Sequence, residues 1–141
     1  MPGPEPAKKL AVLACMDARF DPAALLGFGP GDAHVIRNAG GLASDDAIRS
    51  LSLSQHTLGT EEIVVIQHTD CGLLRVTDEQ FAQHLEDHCG RRPEWRAGAF
   101  TDLEAGVRSA VTRLRESPFL LHPNVRGYVY DVETEELRPV E

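Results

Sequence analysis

Apolar positions along the chain follow two rhythms. Leu10-Ala11-Val12-Leu13-Ala14 is a short continuous apolar run, the pattern of a strand buried on both faces. Glu62 to Gln67 contains Ile63-Val64-Val65-Ile66, the strongest strand signal in the chain. Ala33 to Arg37 and Gly127 to Val132 read as further strands, and Leu137 to Val140 as a short returning edge strand. Between these segments the spacing changes to that of helices. Asp21-Pro22 opens a short helix through Leu26, with proline in the first turn, and Gly27 to Asp32 forms a turn. Ser44 caps a second helix, with Asp45 and Asp46 in its first turn; Ile48, Leu51, Gln55 and Leu58 follow helical spacing, and Gly59 stops it. Thr77 and Gln80 form a capping box before a helix that ends at Cys89-Gly90. Thr101 and Glu104 form another, before a helix with Leu103, Val107, Ala110, Val111 and Leu114 on one face and Pro118 beyond its end.

Strands that alternate with helices predict an α/β fold: a mainly parallel sheet of about four strands, with a fifth at the edge, flanked by helices on both faces. In such sheets ligands bind at the carboxyl ends of the strands. With 141 residues the chain is expected to form one domain over 1–141, residues 1–8 being a loose arm.

Composition narrows the function classes. No apolar run approaches the ~20 residues of a membrane helix, and the polar, Pro-rich start shows no signal core, so a cytoplasmic protein is expected. The net charge is −8 and no basic stripe occurs, which argues against nucleic acid. The acidic excess at Glu133, Glu135, Glu136 and Glu141 reads as a solvated edge. Three cysteines do not make a disulfide framework; reduced thiols serving as metal ligands or nucleophiles become the alternative.

Three loops that follow strands carry the unusual residues: Cys15-Met16-Asp17-Ala18-Arg19, Arg37-Asn38-Ala39-Gly40-Gly41 and His68-Thr69-Asp70-Cys71-Gly72. A parallel sheet gathers all three at one edge. Cys15, His68 and Cys71 could converge there, although 53 residues separate Cys15 from His68. Two thiolates and an imidazole suit zinc, and three protein ligands leave the fourth position of a catalytic site open. Cys89 and the other histidines offer no second close pair to complete a four-ligand cage. The plainer reading is a core thiol at Cys15 and a turn at Cys71-Gly72. Asp17 and Arg19 could form a charge-assisted bond beside a metal, or an ordinary surface ion pair. Asn38 to Gly41 could bring backbone close to a site, or simply lead into the next helix.

Taken in order, Cys15-x-Asp17-x-Arg19, the Arg37-Asn38-Ala39-Gly40 loop and His68-x-x-Cys71-Gly72 resemble the β-class carbonic anhydrases. The resemblance spans Leu10 to Gly72 and continues more weakly to Gly127–Val132. It is nearest the short bacterial branch, without the long helical N-terminal extension of larger members, and their substrate-binding glutamine has no matched counterpart. It implies zinc held by Cys15, His68 and Cys71, with Asp17 paired to Arg19 and accepting a hydrogen bond from zinc-bound water. Hydroxide formed there would hydrate CO₂ reversibly to bicarbonate. In some relatives the counterpart of Asp17 closes onto the zinc as a fourth ligand. A homodimer or higher homo-oligomer is likewise implied. Phe20, Leu42 and Leu73 are candidates for an apolar CO₂ pocket, or plain core residues. His34, His84 and His88 are candidate proton carriers, or ordinary histidines. Three rivals remain: hydrolysis of carbonyl sulfide or carbon disulfide by the same ligand set, a non-catalytic zinc-binding regulatory module, and thiol redox chemistry. The absence of Cys-x-x-Cys speaks against the last.

Overall fold

The computed structural model describes residues 3–141; Met1 and Pro2, the start of the arm expected over 1–8, lie outside the described residues. The end of that arm is tied down. Pro6 is buried, and Ala7 and Lys8 donate backbone hydrogen bonds to Gly31 and Asp32 at 2.9 Å.

The strands are β1 (Leu10–Cys15), β2 (Ala33–Asn38), β3 (Glu62–His68), β4 (Val125–Tyr130) and β5 (Leu137–Val140). The helices are α1 (Pro22–Leu26), α2 (Asp45–His56), α3 (Asp78–Cys89) and α4 (Leu103–Glu116). The five strands form one sheet in the order β2-β1-β3-β4-β5; the first four are parallel, and β5 runs antiparallel to β4. The expected mainly parallel sheet with a fifth edge strand is therefore present.

The chain leaves β1 in one direction to reach β2, then returns past β1 to β3. Right-handed crossovers place connections made in opposite directions on opposite faces of the sheet. Accordingly Leu25 and Leu26 of α1 pack with Val12, Ala14, Val64 and Ile66 on one face. On the other, α2 and α4 bury Ala47, Leu51, Val107 and Leu114 against Ala11, Leu13, Ile63, Val65 and Val129. The two faces are unequally clad, because α1 has only five residues whereas α2 has 12 and α4 has 14.

Strands β1, β2 and β3 each run one residue past the expected end, to Cys15, Asn38 and His68, and three further elements differ at their ends for local reasons. The Thr101/Glu104 box is not what starts α4: Asp102 is the N-cap, and its carboxylate accepts from Ala105 N–H at 3.2 Å. A carboxylate there also meets the positive end of the helix. The second helix ends at His56 with Thr57 as its cap, and Gly59, at φ 79°, forms the turn beyond it. β4 begins and ends two residues earlier than expected. Its start is drawn back by Ile63 N–H bonding to Asn124 O, and its end is set by Asp131, whose carboxylate accepts from Glu133 and Thr134 N–H. The capping box of Thr77 and Gln80 on α3 forms as expected, with Gly90 closing the helix at φ 76°.

Candidate metal centre

The order β2-β1-β3 opens a crevice at the carboxyl ends of β1 and β3, where successive connections depart in opposite directions. Cys15 is the last residue of β1 and His68 the last of β3. Thr69 N–H bonds to Tyr130 O at 2.9 Å and Thr69 Oγ1 accepts from Val132 N–H, so the turn after β3 is anchored to the end of β4. That turn brings Cys71 back over the crevice. The sulfurs of Cys15 and Cys71 and a ring nitrogen of His68 lie within 4.8 Å of one another, and all three residues are buried.

The donor set fits zinc. His68 Nδ1 lies 2.7 Å from Thr69 O, which fixes that nitrogen as the donor and leaves Nε2 with its lone pair free. Nε2 is buried without a hydrogen-bond partner, an unfavourable state for an imidazole nitrogen that a metal bond would relieve. Donors within 4.8 Å of one another are close enough to share a single ion. The neighbouring Cys71 thiol is the chief influence drawing the Cys15 thiol below its ordinary range, against the effect of burial, which favours a thiolate at this position.

The Asn38–Gly41 segment makes a close backbone approach. Gly40 N–H donates to Cys15 Sγ at 3.3 Å, and Asn38 closes the loop with two 2.9 Å bonds to the backbone of Leu42. Gly41 has φ 64°, and a Cβ there would stand 2.9 Å from Cys15 N and Ile66 O. Both obstacles are backbone. Gly41→Ala is therefore expected to cost about 2–4 kcal/mol, the sum of a left-handed alanine and an overpacked contact. Denaturant unfolding of the two proteins measures it.

Asp17 and Arg19 sit on the open side of the cluster. Arg19 grips Asp17 with backbone N–H, Nε and Nη2 at 2.8, 2.9 and 2.8 Å. Asp17 Oδ2 lies 3.7 Å from His68 Nε2. These bonds, led by those from the Arg19 side chain, hold the Asp17 carboxyl well below the usual carboxylate range.

Two residues of the site were not singled out from sequence. Arg37 donates to the carbonyls of Cys15, Asp17 and Phe20 at 2.8, 2.7 and 3.2 Å, and so holds the loop after β1 from behind. Asp70 accepts from Arg19 Nη1 at 2.9 Å and from Arg75. Both lie inside the three loops already marked, which was the available signal, but their partners are distant in sequence.

The other candidates separate. Phe20 is core, stacked on Tyr130 with ring centres 5.2 Å apart and tilted against His68 at 5.6 Å. Leu42 and Leu73 instead line an apolar groove of about 580 Å³ with Asn38, Ala39, Phe81 and Trp95. His34 lies near the amino end of β2, away from the site, bonded to Ser54 Oγ at 2.7 Å. His84 and His88 stack on each other on exposed α3, and Cys89 is exposed at its end.

Residues 10–95 match the family described as carbonic anhydrase. The chain is 46% identical to β-carbonic anhydrase 1 of Mycobacterium tuberculosis over 136 residues, covering 96% of this chain and 83% of that one. It is 40% identical to a carbon disulfide hydrolase of Acidianus sp., aligned over 157 residues that cover 93% of this chain and 76% of the relative. The crystal structure of a carbonic anhydrase from Streptococcus mutans superposes with a TM-score of 0.94 at 40% identity, covering 100% of this chain and 86% of that one.

Proposed function

This chain belongs to the β-class carbonic anhydrase family, and on that premise we propose that Cys15, His68 and Cys71 hold one zinc ion whose open face is governed by Asp17 and Arg19. The reaction is the zinc-dependent, reversible hydration of CO₂ to bicarbonate. The observation that carries the assignment of ligands is the buried, unpartnered Nε2 of His68 facing two thiols.

Zinc, when bound, lowers the pKa of water from about 16 to about 7. The chain's own residues do the rest. Thr69 O fixes the tautomer of His68. Arg37 and Gly40 hold the Cys15 loop and its sulfur. Asp17, kept ionised and pinned on two oxygens by Arg19, is an acceptor of fixed direction beside the cluster. It can take a proton-bearing oxygen and orient its lone pair toward the substrate. CO₂ is small and apolar, and the Leu42–Leu73 side of the groove offers it a matching wall. Release of the Arg19 grip would let Asp17 reach the metal as a fourth ligand, the closed alternative. X-ray absorption at low and high pH distinguishes the two shells.

Carbon disulfide hydrolysis is the second reading, favoured by the 40% identity to the Acidianus enzyme. That alignment runs to 157 positions, more than the 141 residues of this chain, so the relative carries inserted segments that this chain lacks. The mycobacterial alignment needs only 136 positions for 96% of the chain. This contrast supports CO₂ as the substrate. Stopped-flow CO₂ hydration and sulfide release from carbon disulfide, run on one zinc-loaded preparation, decide between them. Rapid CO₂ hydration without sulfide release is expected; the reverse would reassign the substrate, and inactivity toward both would leave a zinc-binding module. CO₂ turnover is further expected to rise with pH through about 7, as bound water ionises.

The chain is also read as a cytoplasmic homodimer or larger homo-oligomer. Three free cysteines, two of them needed as thiolates, support a reducing compartment. Among the described residues no helix is long and apolar enough to cross a membrane. Helix α3 buries no residue, and Trp95 beside it is 63% exposed, leaving apolar surface for a second copy.

A further inference from the structure

We propose that Asp70 is a positioning residue for hydration: it holds Arg19 in the orientation in which that guanidinium grips Asp17. The proposal deepens the reading of the site given above and rests on it.

A guanidinium has five N–H donors in one plane. Arg19 commits Nε and one Nη2 hydrogen to the two oxygens of Asp17, at 2.9 and 2.8 Å. The adjacent edge, which shares Nη2, is taken by Asp70: Nη1 donates to its Oδ2 at 2.9 Å, and Nη2 to its backbone carbonyl at 3.0 Å. Held on one edge only, the plane could still swing on the flexible arginine stem. Held on two, its direction is set, and the direction of Asp17 with it.

The backbone of Asp70 is arranged for this. Its φ is 54°, left-handed, a conformation few non-glycine residues adopt, with aspartate among those enriched there. One residue thus presents both its carbonyl and its carboxylate to the same guanidinium. Arg75 donates to the other carboxylate oxygen, Oδ1, and steadies it from outside.

The link also spans the site. Asp17 belongs to the loop that carries Cys15, and Asp70 stands between His68 and Cys71. Arg19 therefore ties the two ligand loops together on a solvent-facing side of the cluster. Stability is not the gain: the Arg19 and Asp70 side chains are 44% and 46% exposed, and exposed pairs contribute little. What the arrangement supplies is direction.

Five proteins test it: wild type, Asp70→Asn, Arg19→Ala, the double variant, and Glu86→Gln. The last breaks an exposed pair between Glu86 of α3 and Arg92 beyond its end, outside the three ligand-bearing loops, and should behave as wild type. Asparagine tolerates the left-handed backbone; Asp70→Gly, which also accepts it, gives the same comparison should the asparagine protein fold poorly. Zinc content, melting temperature and stopped-flow kcat and KM for CO₂ are measured for each. Asp70→Asn should keep its zinc, melting temperature and KM while kcat falls about tenfold, the low end for an outer-shell partner. In the Arg19→Ala background the same change should cost nothing more, because Asp70 acts through Arg19.

Wild-type kcat in Asp70→Asn overturns the proposal. So does an undiminished further loss in the Arg19→Ala background. A faster Asp70→Asn enzyme would show that Asp70 competes with Asp17 for Arg19, and also overturns it. Zinc-loaded wild type that hydrates no CO₂ removes the functional reading and this proposal together; active wild type with an unaffected Asp70→Asn removes this proposal alone.

Discussion

Replacing any one of Cys15, His68 or Cys71 is expected to empty the metal site and reduce CO₂ hydration by at least about a thousandfold, a modest part of the acceleration enzymes give. Two remaining donors cannot fix a tetrahedral ion against exchange with solvent. The burial of the three donors strengthens the expectation. Cys15, His68 and Cys71 are 4%, 1% and 3% exposed, and the nearby Asp17 carboxylate is held by Arg19 on both oxygens rather than free to take a lost donor's place. Cys15→Ser and Cys71→Ser remove a thiolate while keeping the shape; His68→Ala removes the nitrogen. Cys89→Ser is the control, because Cys89 is exposed at the end of α3 and outside the cluster. Zinc per chain after dialysis, with turnover on the same samples, is the measurement. A Cys89→Ser protein that loses zinc, beside a Cys71→Ser protein that keeps it, would refute the ligand assignment.

Arg19→Ala is expected to lower turnover by about 10–100-fold while the zinc stays bound, the range seen when a partner outside the ligand shell is removed. The guanidinium holds both oxygens of Asp17, and that carboxylate is already 3.7 Å from the free nitrogen of His68. Freed, Asp17 has a short path to the fourth position on the metal, and oxygen is a donor zinc accepts. Lysine should rescue poorly, since a point charge cannot reproduce bonds along two edges of a plane. Arg19→Ala with Asp17→Asn should reopen the site yet stay slow, for want of the orienting carboxylate. Zinc content and CO₂ hydration are compared across the four proteins. Near-normal turnover in Arg19→Ala would reduce the pair to a surface salt bridge.

Most of the sheet was legible because its signals are local. The apolar runs before Cys15 and before His68 are continuous, and each is a strand with at least five buried residues. Thr77 and Gln80 are three apart and cap α3 by contacts within one turn. Where two neighbours were both able to cap, the pattern was ambiguous: Thr101 and Asp102 are adjacent, and the carboxylate took the position. The ends of β4 were misplaced by two residues because they depend on partners elsewhere, Asn124 against Ile63 at one end and the turn at Asp131 at the other. The candidate zinc ligands stood out as ordered residue types, expected in the loops after strands; the structure places Cys15 and His68 on the last residues of β1 and β3 and Cys71 in the turn beyond, and the family resemblance supplied the ligand set that spacing alone left open.

By itself the sequence determined the alternation of strands and helices, the residues able to bind zinc, and the Asp17-Arg19 pair, whose members are close enough along the chain to bond through local turns. Tertiary structure decided what depends on contacts across the sheet edge. It set the strand order that opens the crevice between β1 and β3. It gave Gly40 its bond to Cys15 across 25 residues, and Arg37 its three carbonyls in the loop before it. It joined Arg19 to Asp70 across 51 residues. The reason is physical: a local turn limits its partners to a few neighbours, whereas a side chain at the end of a parallel strand meets whatever the crossovers bring alongside, and periodicity along one strand carries no record of that.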